Sequence, residues 1–366
     1  MALPFLQGCG RGNSSSSPEG KKMEMRYAVN LTLEEHDGYT LARVRNPWDT
    51  LKTLHTYLLV DRDAPLPDGM PQGTVVRTPV RSAVAYSVMH GSLMDELGAA
   101  SALRGVCDAQ YFTKQPIAEG LQSGRIADCG SSSAPNVERM LMLKPDAVFI
   151  SPFENSGGYG KLETVGIPII ECADYMETSP LGRAEWVKFY GRLLGKSERA
   201  DSMFAATEKS YLQLKERGEQ AGKRPAVLMD RVFGQAWNVP GAYSTMGRFI
   251  EDAGGRNIFD NHKNAGSTPL APEQVLYQGK DADIWLIRYS QKYPLTLTQM
   301  REDRPMYAEF APFKSGNVYG VNTDVSQYYS EVAFHPQWLL ADMLRVIHPE
   351  LADSIPSKRY FEKLSR

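Results

Sequence analysis

The chain has 366 residues, with 41 basic against 43 acidic side chains and a formal charge of −2. Such a balance excludes electrostatic capture of nucleic acid as the basis of its function. Its length gives room for two or three domains with sizeable cores, and no apolar run reaches the roughly 20 residues of a membrane span.

At the start, Leu6, Gln7, Gly8 and Cys9 run into the polar stretch GRGNSSSSPEG. The four residues resemble the lipobox of bacterial lipoproteins, in which the cysteine becomes the lipidated first residue of the mature chain. The resemblance implies a lipid anchor at Cys9 and a periplasmic, membrane-tethered protein, with residues 1–21 as lipobox remnant and flexible tether. Eight residues precede Cys9, fewer than the roughly 15–30 of a signal peptide, so a shortened leader is expected. The other cysteines, Cys107, Cys129 and Cys172, fit no zinc spacing and read as buried thiols.

Residues 22–78 alternate as strands do and break at Asp37-Gly38, a hairpin signal. They form a β-rich preface expected to pack on an α/β lobe at 79–178. In that lobe strand and helix patterns alternate. A strand at 81–87 precedes a helix at 90–103, and a short strand lies at 106–109. The helix in PNVERMLMLK is followed by the strand AVFIS, the glycine-rich loop ENSGGYG and the strand IPIIEC. Alternation of this kind predicts a mostly parallel sheet flanked by helices.

Residues 179–221 carry no strand character. Trp186, Phe189, Tyr190, Leu193 and Leu194 share one helical face, and Gly195 ends that helix. Ser197 offers an N-cap to a second helix whose stripe is Ala200, Met203, Phe204, Thr207, Tyr211 and Leu214. Continuous to Gln220, this helix spans roughly 35 Å. Residues 222–366 then repeat the strand–helix scheme: RPAVLMD, STMGRFIEDAGG, APEQVLYQG, DIWLIRY, a loop and strand in APFKSGNVYGVN, and the closing helix FHPQWLLADMLRVIH. The predicted fold class is therefore α/β. Two lobes with central, mostly parallel sheets are joined by one long rigid helix, with a ligand cleft between the lobes and the β-rich preface in front.

The ordered set SLMDELGAASALRGV, PNVERMLMLKPDAVFIS, GIPII, WVKFYGRLLGKSERA, MGRFIEDAGGRNIF, LAPEQVLYQGKDADIWLI, FAPFKSGNVYGVN and HPQWLLADMLRVIHPEL covers about residues 79–351. It resembles the helical-backbone class of periplasmic substrate-binding proteins, which serve ABC importers of iron–siderophore, haem and cobalamin. The preface departs from that family's minimal form. The resemblance implies a monomeric receptor that hands an iron chelate, a ferric siderophore or haem, to a permease dimer, with a corrinoid such as cobalamin as the alternative ligand. It implies no resident cofactor; an α/β enzyme is the alternative from another class.

In open α/β sheets, ligands bind beyond the carboxyl ends of the strands. The residues expected there are Tyr86, His90, Tyr111, Phe153 and Tyr175 from the first lobe. The second lobe supplies Arg231, Trp237, Tyr243, Arg288 and Tyr289, and the loop running to Tyr329. Aromatic faces suit a flat macrocycle or a catecholate, and arginine suits anionic oxygens. His90 or Tyr86 could serve as an axial ligand to haem iron. Six histidines, of which only His90 sits at a first-lobe strand end, are too scattered for a bare-metal site. His262 is placed near the cleft, and His335 and His348 read as structural. No G-x-S-x-G, P-loop or H-E-x-x-H motif occurs, the GGYG at 157–160 lacks dinucleotide-binding spacing, and Ser87 and Ser92 read as helix caps. Finally, the resemblance implies that each lobe carries a surface glutamate for permease arginines. Glu138 and Glu273 match those positions, each in the first turn of its helix.

Overall fold

The computed structural model describes residues 20–154, 158–356 and 359–366; Cys9 lies outside them. The preface is a five-stranded sheet of Lys21–Lys22, Leu31–His36, Tyr39–Arg45, Thr53–Asp61 and Thr74–Thr78, in that order. Its hairpin pairs His36 with Tyr39, so Asp37-Gly38 is the whole turn, and Gly38 takes the positive φ of 79° that the turn demands. Thr74–Thr78 does not stand out in the sequence. It pairs parallel to Thr53–Asp61, a non-local partnership that no hairpin signal announces.

The first lobe holds a parallel sheet ordered Ile169–Glu171, Ala147–Ile150, Ala83–Ala85, Leu103–Val106 and Ala127–Asp128. Ala147–Ile150 is buried throughout, as expected of a strand covered on both faces. The first helix begins two residues earlier than its sequence pattern suggests. Ser87 caps it by accepting from the Met89 amide at 3.2 Å, and it runs Val88–Glu96. Gly98, at φ 72°, stops it, which moves the next strand forward to Leu103–Val106.

Two short helices, Pro180–Glu185 and Val187–Leu193, meet at Trp186 where one was expected. The long helix Ser197–Gln220 comes next, 24 residues without a break. Ser197 is its first turn rather than its cap; Lys196 holds the cap position with no side-chain hydrogen bond. Its inward face of Ala200, Phe204, Thr207, Tyr211 and Leu214 is buried. Ala200 and Phe204 join the first-lobe core, and Tyr211 and Leu214 the second, so one rigid rod is shared by both.

The second lobe's sheet is ordered Arg256–Asn257, Ala226–Met229, Ile284–Tyr289, Val318–Asn322 and Glu362–Lys363. All pairings are parallel except the last. A separate antiparallel ribbon of Val232–Phe233, Ala236–Pro240 and Ser267–Leu270 covers one side, in a stretch that reads as loop in the sequence.

The preface shares its core with the first lobe: Leu31, Val44, Tyr57 and Val76 pack in one cluster with Phe149, Trp186 and Phe189. Buried carboxylates of the connecting segment clasp the chain at 26–30. Glu185 accepts the amides of Arg26, Tyr27 and Ala28 at 3.0, 2.8 and 3.0 Å. Glu177 accepts those of Val29 and Asn30 at 2.9 Å each. These five amides belong to no strand, and the carboxylates supply the partners that burial requires.

Candidate functional site

A cleft of about 900 Å³ opens between the two lobes, at the carboxyl ends of both parallel sheets. Tyr86 and the helix start Ser87–Val88–Met89 follow Ala83–Ala85, Asp108 and Tyr111 follow Leu103–Val106, and Ser151 and Phe153 follow Ala147–Ile150. Across from them stand Ser290, after Ile284–Tyr289, and Thr323, Asp324, Gln327 and Tyr329, after Val318–Asn322. A side cavity of about 410 Å³ adjoins, sharing Ser290, Thr323 and Tyr329 with the cleft and adding Arg231, Arg288, Tyr289 and Phe233.

Six of the ten expected ligand residues thus gather around one continuous space: Tyr86, Tyr111 and Phe153 in the cleft, and Arg231, Arg288 and Tyr289 in the side cavity. The other four are placed elsewhere. Tyr175 lies in neither wall and donates its hydroxyl to the Pro152 carbonyl. Tyr243 lies outside both, near the cations of Arg248 and Lys263 at 5.4 and 5.9 Å from its ring. Trp237 belongs to the antiparallel ribbon, fully buried, stacked on Trp285 at 5.5 Å and donating to the Met229 carbonyl at 2.9 Å.

His90 is fully buried against Phe149 and Tyr190. With the helix starting at Val88, a step of 100° per residue carries position 90 away from the cleft-lining Val88 and Met89 and into the core. Neither ring nitrogen makes a hydrogen bond of full geometry, and a weak contact with the Phe149 backbone is all that favours the charged form. Burial, reinforced by the Arg183 charge, pushes the imidazole down to about 3, so it is neutral and shut away from any cleft ligand. Burial also pushes Tyr86 up to about 12, which keeps this wall residue a phenol. His262 lines neither cavity. His335 bonds Glu96 at 2.6 Å and stacks on Trp338 at 3.8 Å, and His348 is buried.

The arginines of the cleft walls are each paired with a carboxylate. Arg183 donates to the buried Asp174 at 2.9 Å, Arg231 to Asp303 at 3.2 Å, and Arg288 grips Asp230 with both Nε, at 3.0 Å, and Nη2. Burial opposes the Arg288 charge, but Asp230 more than offsets it and the guanidinium is held firmly protonated. Two further carboxylates face the space: Asp108, which takes the Ser132 hydroxyl at 2.5 Å, and Asp324, which takes that of Ser290 at 2.6 Å. Every arginine in these walls therefore already has a carboxylate. Asp108, Ser132, Met89, Arg183 and Tyr159 do not stand out in the sequence as individual residues. The loops carrying Asp108 and Tyr329 are legible there, but which side chain faces inward is not.

Among the described residues, no group of three or more His, Cys, Asp or Glu side chains is placed to hold a bare metal ion, and no helix is long and apolar enough to cross a membrane. Cys107, Cys129 and Cys172 are buried free thiols. Glu138 is largely exposed at the start of Val137–Met142 and pairs with Lys161 at 2.5 Å, a hydrogen bond that lowers its carboxyl below the usual range. Glu273 is exposed at the start of Pro272–Gly279. Behind both glutamates the helices turn Met140 and Val275 into the core.

Comparison with known proteins agrees with this geometry. An uncharacterized lipoprotein of Methanocaldococcus jannaschii is 25% identical over 350 residues, 89% of this chain and 82% of that one. A cobalamin-binding protein of Halobacterium salinarum is 24% identical over 260 residues, 70% of this chain and 68% of the other. Among solved structures, a periplasmic heme binding protein from Pseudomonas aeruginosa superposes with a TM-score of 0.60 at 17% identity, covering 78% of this chain and 99% of that one. An ABC-type Fe3+-hydroxamate transport protein from Saccharomonospora viridis gives 0.58 at 17%, covering 74% and 94%. At such identities the superpositions establish the fold alone. The family model described as periplasmic binding protein matches residues 94–325. With that match, a cleft between two α/β lobes and a single helical rod joining them, this chain belongs to the periplasmic binding protein family, the substrate-binding components of ABC transporters.

Proposed function

We propose that the protein captures a bulky metal chelate in the interlobe cleft and delivers it to an ABC permease, with a ferric siderophore or a corrinoid as cargo. The size and lining of the cleft carry the reading. About 900 Å³ walled by aromatic rings and hydroxyls is at the upper end of ordinary ligand pockets and far more than a bare ion needs. The pairing of Arg183, Arg231 and Arg288 with carboxylates supports a chelate of neutral or positive charge. A ferric hydroxamate or an amide-fringed corrinoid meets that condition. Haem, with two carboxylates, and ferric catecholates, which are strongly anionic, would have to displace an existing ion pair to gain a cation.

Docking through Glu138 and Glu273, one per lobe, and tethering through Cys9 belong to the same proposal. Cys9→Ser should then release the protein from the membrane without altering chelate affinity. The direct test is titration of the purified chain with ferrioxamine B, ferrichrome, cyanocobalamin, haem and ferric enterobactin, followed by quenching of tryptophan fluorescence. Binding of a neutral or cationic complex below about 1 μM, worth about −8 kcal/mol, is expected. Tightest binding of ferric enterobactin or haem would overturn the charge argument, and failure of all five would overturn the chelate reading.

A further inference from the structure

The five-stranded preface reaches the ligand cleft through one continuous line of side chains. Ile169–Glu171 is the edge strand of the first-lobe sheet. Its open side is met not by another strand but by Tyr57 of the preface. That hydroxyl accepts from the Glu171 amide at 2.8 Å and donates to the Ile169 carbonyl at 2.9 Å, satisfying backbone groups an edge leaves unpaired. Beside it, stacked at 4.2 Å, is His55. His55 Nε2 meets the Thr74 hydroxyl at 2.8 Å and Nδ1 meets Glu171 Oε2 at 2.8 Å. The other carboxylate oxygen, Glu171 Oε1, accepts the Tyr159 hydroxyl at 2.9 Å. Tyr159 lines the cleft.

The backbone at Tyr159 is held on one side, where its carbonyl accepts the Leu162 amide at 3.3 Å. Gly158 and Gly160 flank it at φ 94° and 57°, conformations glycine enters freely and leaves as freely. The hydrogen bond to Glu171, itself only 8% exposed, fixes the hydroxyl end of this wall residue, while the ring packs against the cluster of Val84, Met140 and Leu162. Glu171 is in turn oriented by His55, which the two adjacent preface strands hold from behind through Thr74.

We propose that the preface is a working part of the binding site, with His55 as a positioning residue that acts through Glu171 to set Tyr159 in the cleft wall. The assignment goes beyond capture of a chelate and rests on that reading only where affinity is the measurement. The first experiment needs no ligand. Amide hydrogen exchange over residues 159–166 of the full chain is compared in wild type, His55→Ala, Tyr159→Phe, their double variant and His55→Gln. Tyr159→Phe removes a single oxygen at the far end of the line, so the test does not depend on how well the His55 variant folds.

Each single variant is expected to speed exchange in that segment about tenfold, the effect of losing one part-buried hydrogen bond. The double variant should be no faster than either single, and His55→Gln, which can still donate to Glu171 and accept from Thr74, should restore most of the protection. The second experiment titrates the same proteins with ferrioxamine B and cyanocobalamin, where His55→Ala and Tyr159→Phe should each weaken binding about fivefold or more and again not additively. Wild-type exchange in the His55→Ala segment, multiplicative effects in the double variant, or no rescue by glutamine would each overturn the assignment. If neither chelate binds the wild type, the chelate reading fails, while the exchange data still decide the role of His55.

Discussion

His90 gives a sharp test, because its enclosure has a measurable cost. Burial, with the Arg183 charge adding to it, lowers its pKa from 6.5 to about 3 in the folded protein. Between those values the unfolded chain takes up a proton that the native state refuses, so stability falls as pH falls. The sign is that of any depressed pKa: the contribution is complete above the unfolded value and is lost below it. Integrating from pH 7 to pH 5 gives a loss of about 2 kcal/mol, with a slope approaching about 1.4 kcal/mol per pH unit at the acid end. That integral depends only on the folded pKa lying well below 5.

The buried carboxyls of Asp174, Glu177 and Asp342 are raised by burial. They contribute in the opposite sense, but equally in a variant that lacks the imidazole. His90→Leu should therefore show a flatter profile than wild type by about 2 kcal/mol over this interval. At pH 7 it should be no less stable, since two ring nitrogens without a full hydrogen bond leave the core. Urea unfolding at pH 7, 6 and 5 measures both curves. Parallel curves would mean that His90 titrates normally, and the account of its burial would be wrong.

Three other outcomes are expected from the geometry. Glu185→Ala strips partners from the Arg26, Tyr27 and Ala28 amides and should cost about 3 kcal/mol or more of stability, seen as a lower urea midpoint; a loss under about 1 kcal/mol would show that these bonds are replaceable. Ligand binding should rotate the lobes by only a few degrees, because Ser197–Gln220 is continuous and bending it breaks its hydrogen-bond ladder. Lys114–Glu331 and His335–Glu96, both at 2.6 Å, also cross between the lobes. A marked drop in radius of gyration on loading, measured by X-ray scattering, would contradict this. Glu138→Ala and Glu273→Ala should leave chelate affinity intact and weaken permease association and uptake, with a charge reversal worse and high salt mimicking the loss in the wild type. Normal uptake in the double variant would remove both glutamates from the docking surface.

Much of the architecture can be read from the chain because it depends on local periodicity. The long helix shows in the spacing of Ala200, Phe204, Tyr211 and Leu214, and the preface hairpin in Asp37-Gly38. The lobe sheets show in apolar runs such as Ala147–Ile150 and Ala226–Met229, which are buried on both faces. The two glutamates at helix starts are also local features, set by their neighbours in the first turn.

Direction, and partnership across long separations, only the tertiary structure decided. A helix that starts at Val88 instead of position 90 turns Met89 to the cleft and His90 to the core, and two residues of boundary are below what a pattern resolves. Trp237 reads as a loop residue in the sequence because the ribbon that buries it pairs Ala236–Pro240 with Ser267–Leu270, some thirty residues away, and no local signal carries such a pairing. Arginines alone suggest an anionic ligand. Only the fold brings Asp230 to Arg288 across 58 positions and Asp303 to Arg231 across 72, and so removes their charge from what the cleft can offer. The preface is the extreme case. His55 and Tyr159 are ordinary residues in the sequence, and Glu171, placed between them by the edge of a parallel sheet, is what makes them neighbours of one site.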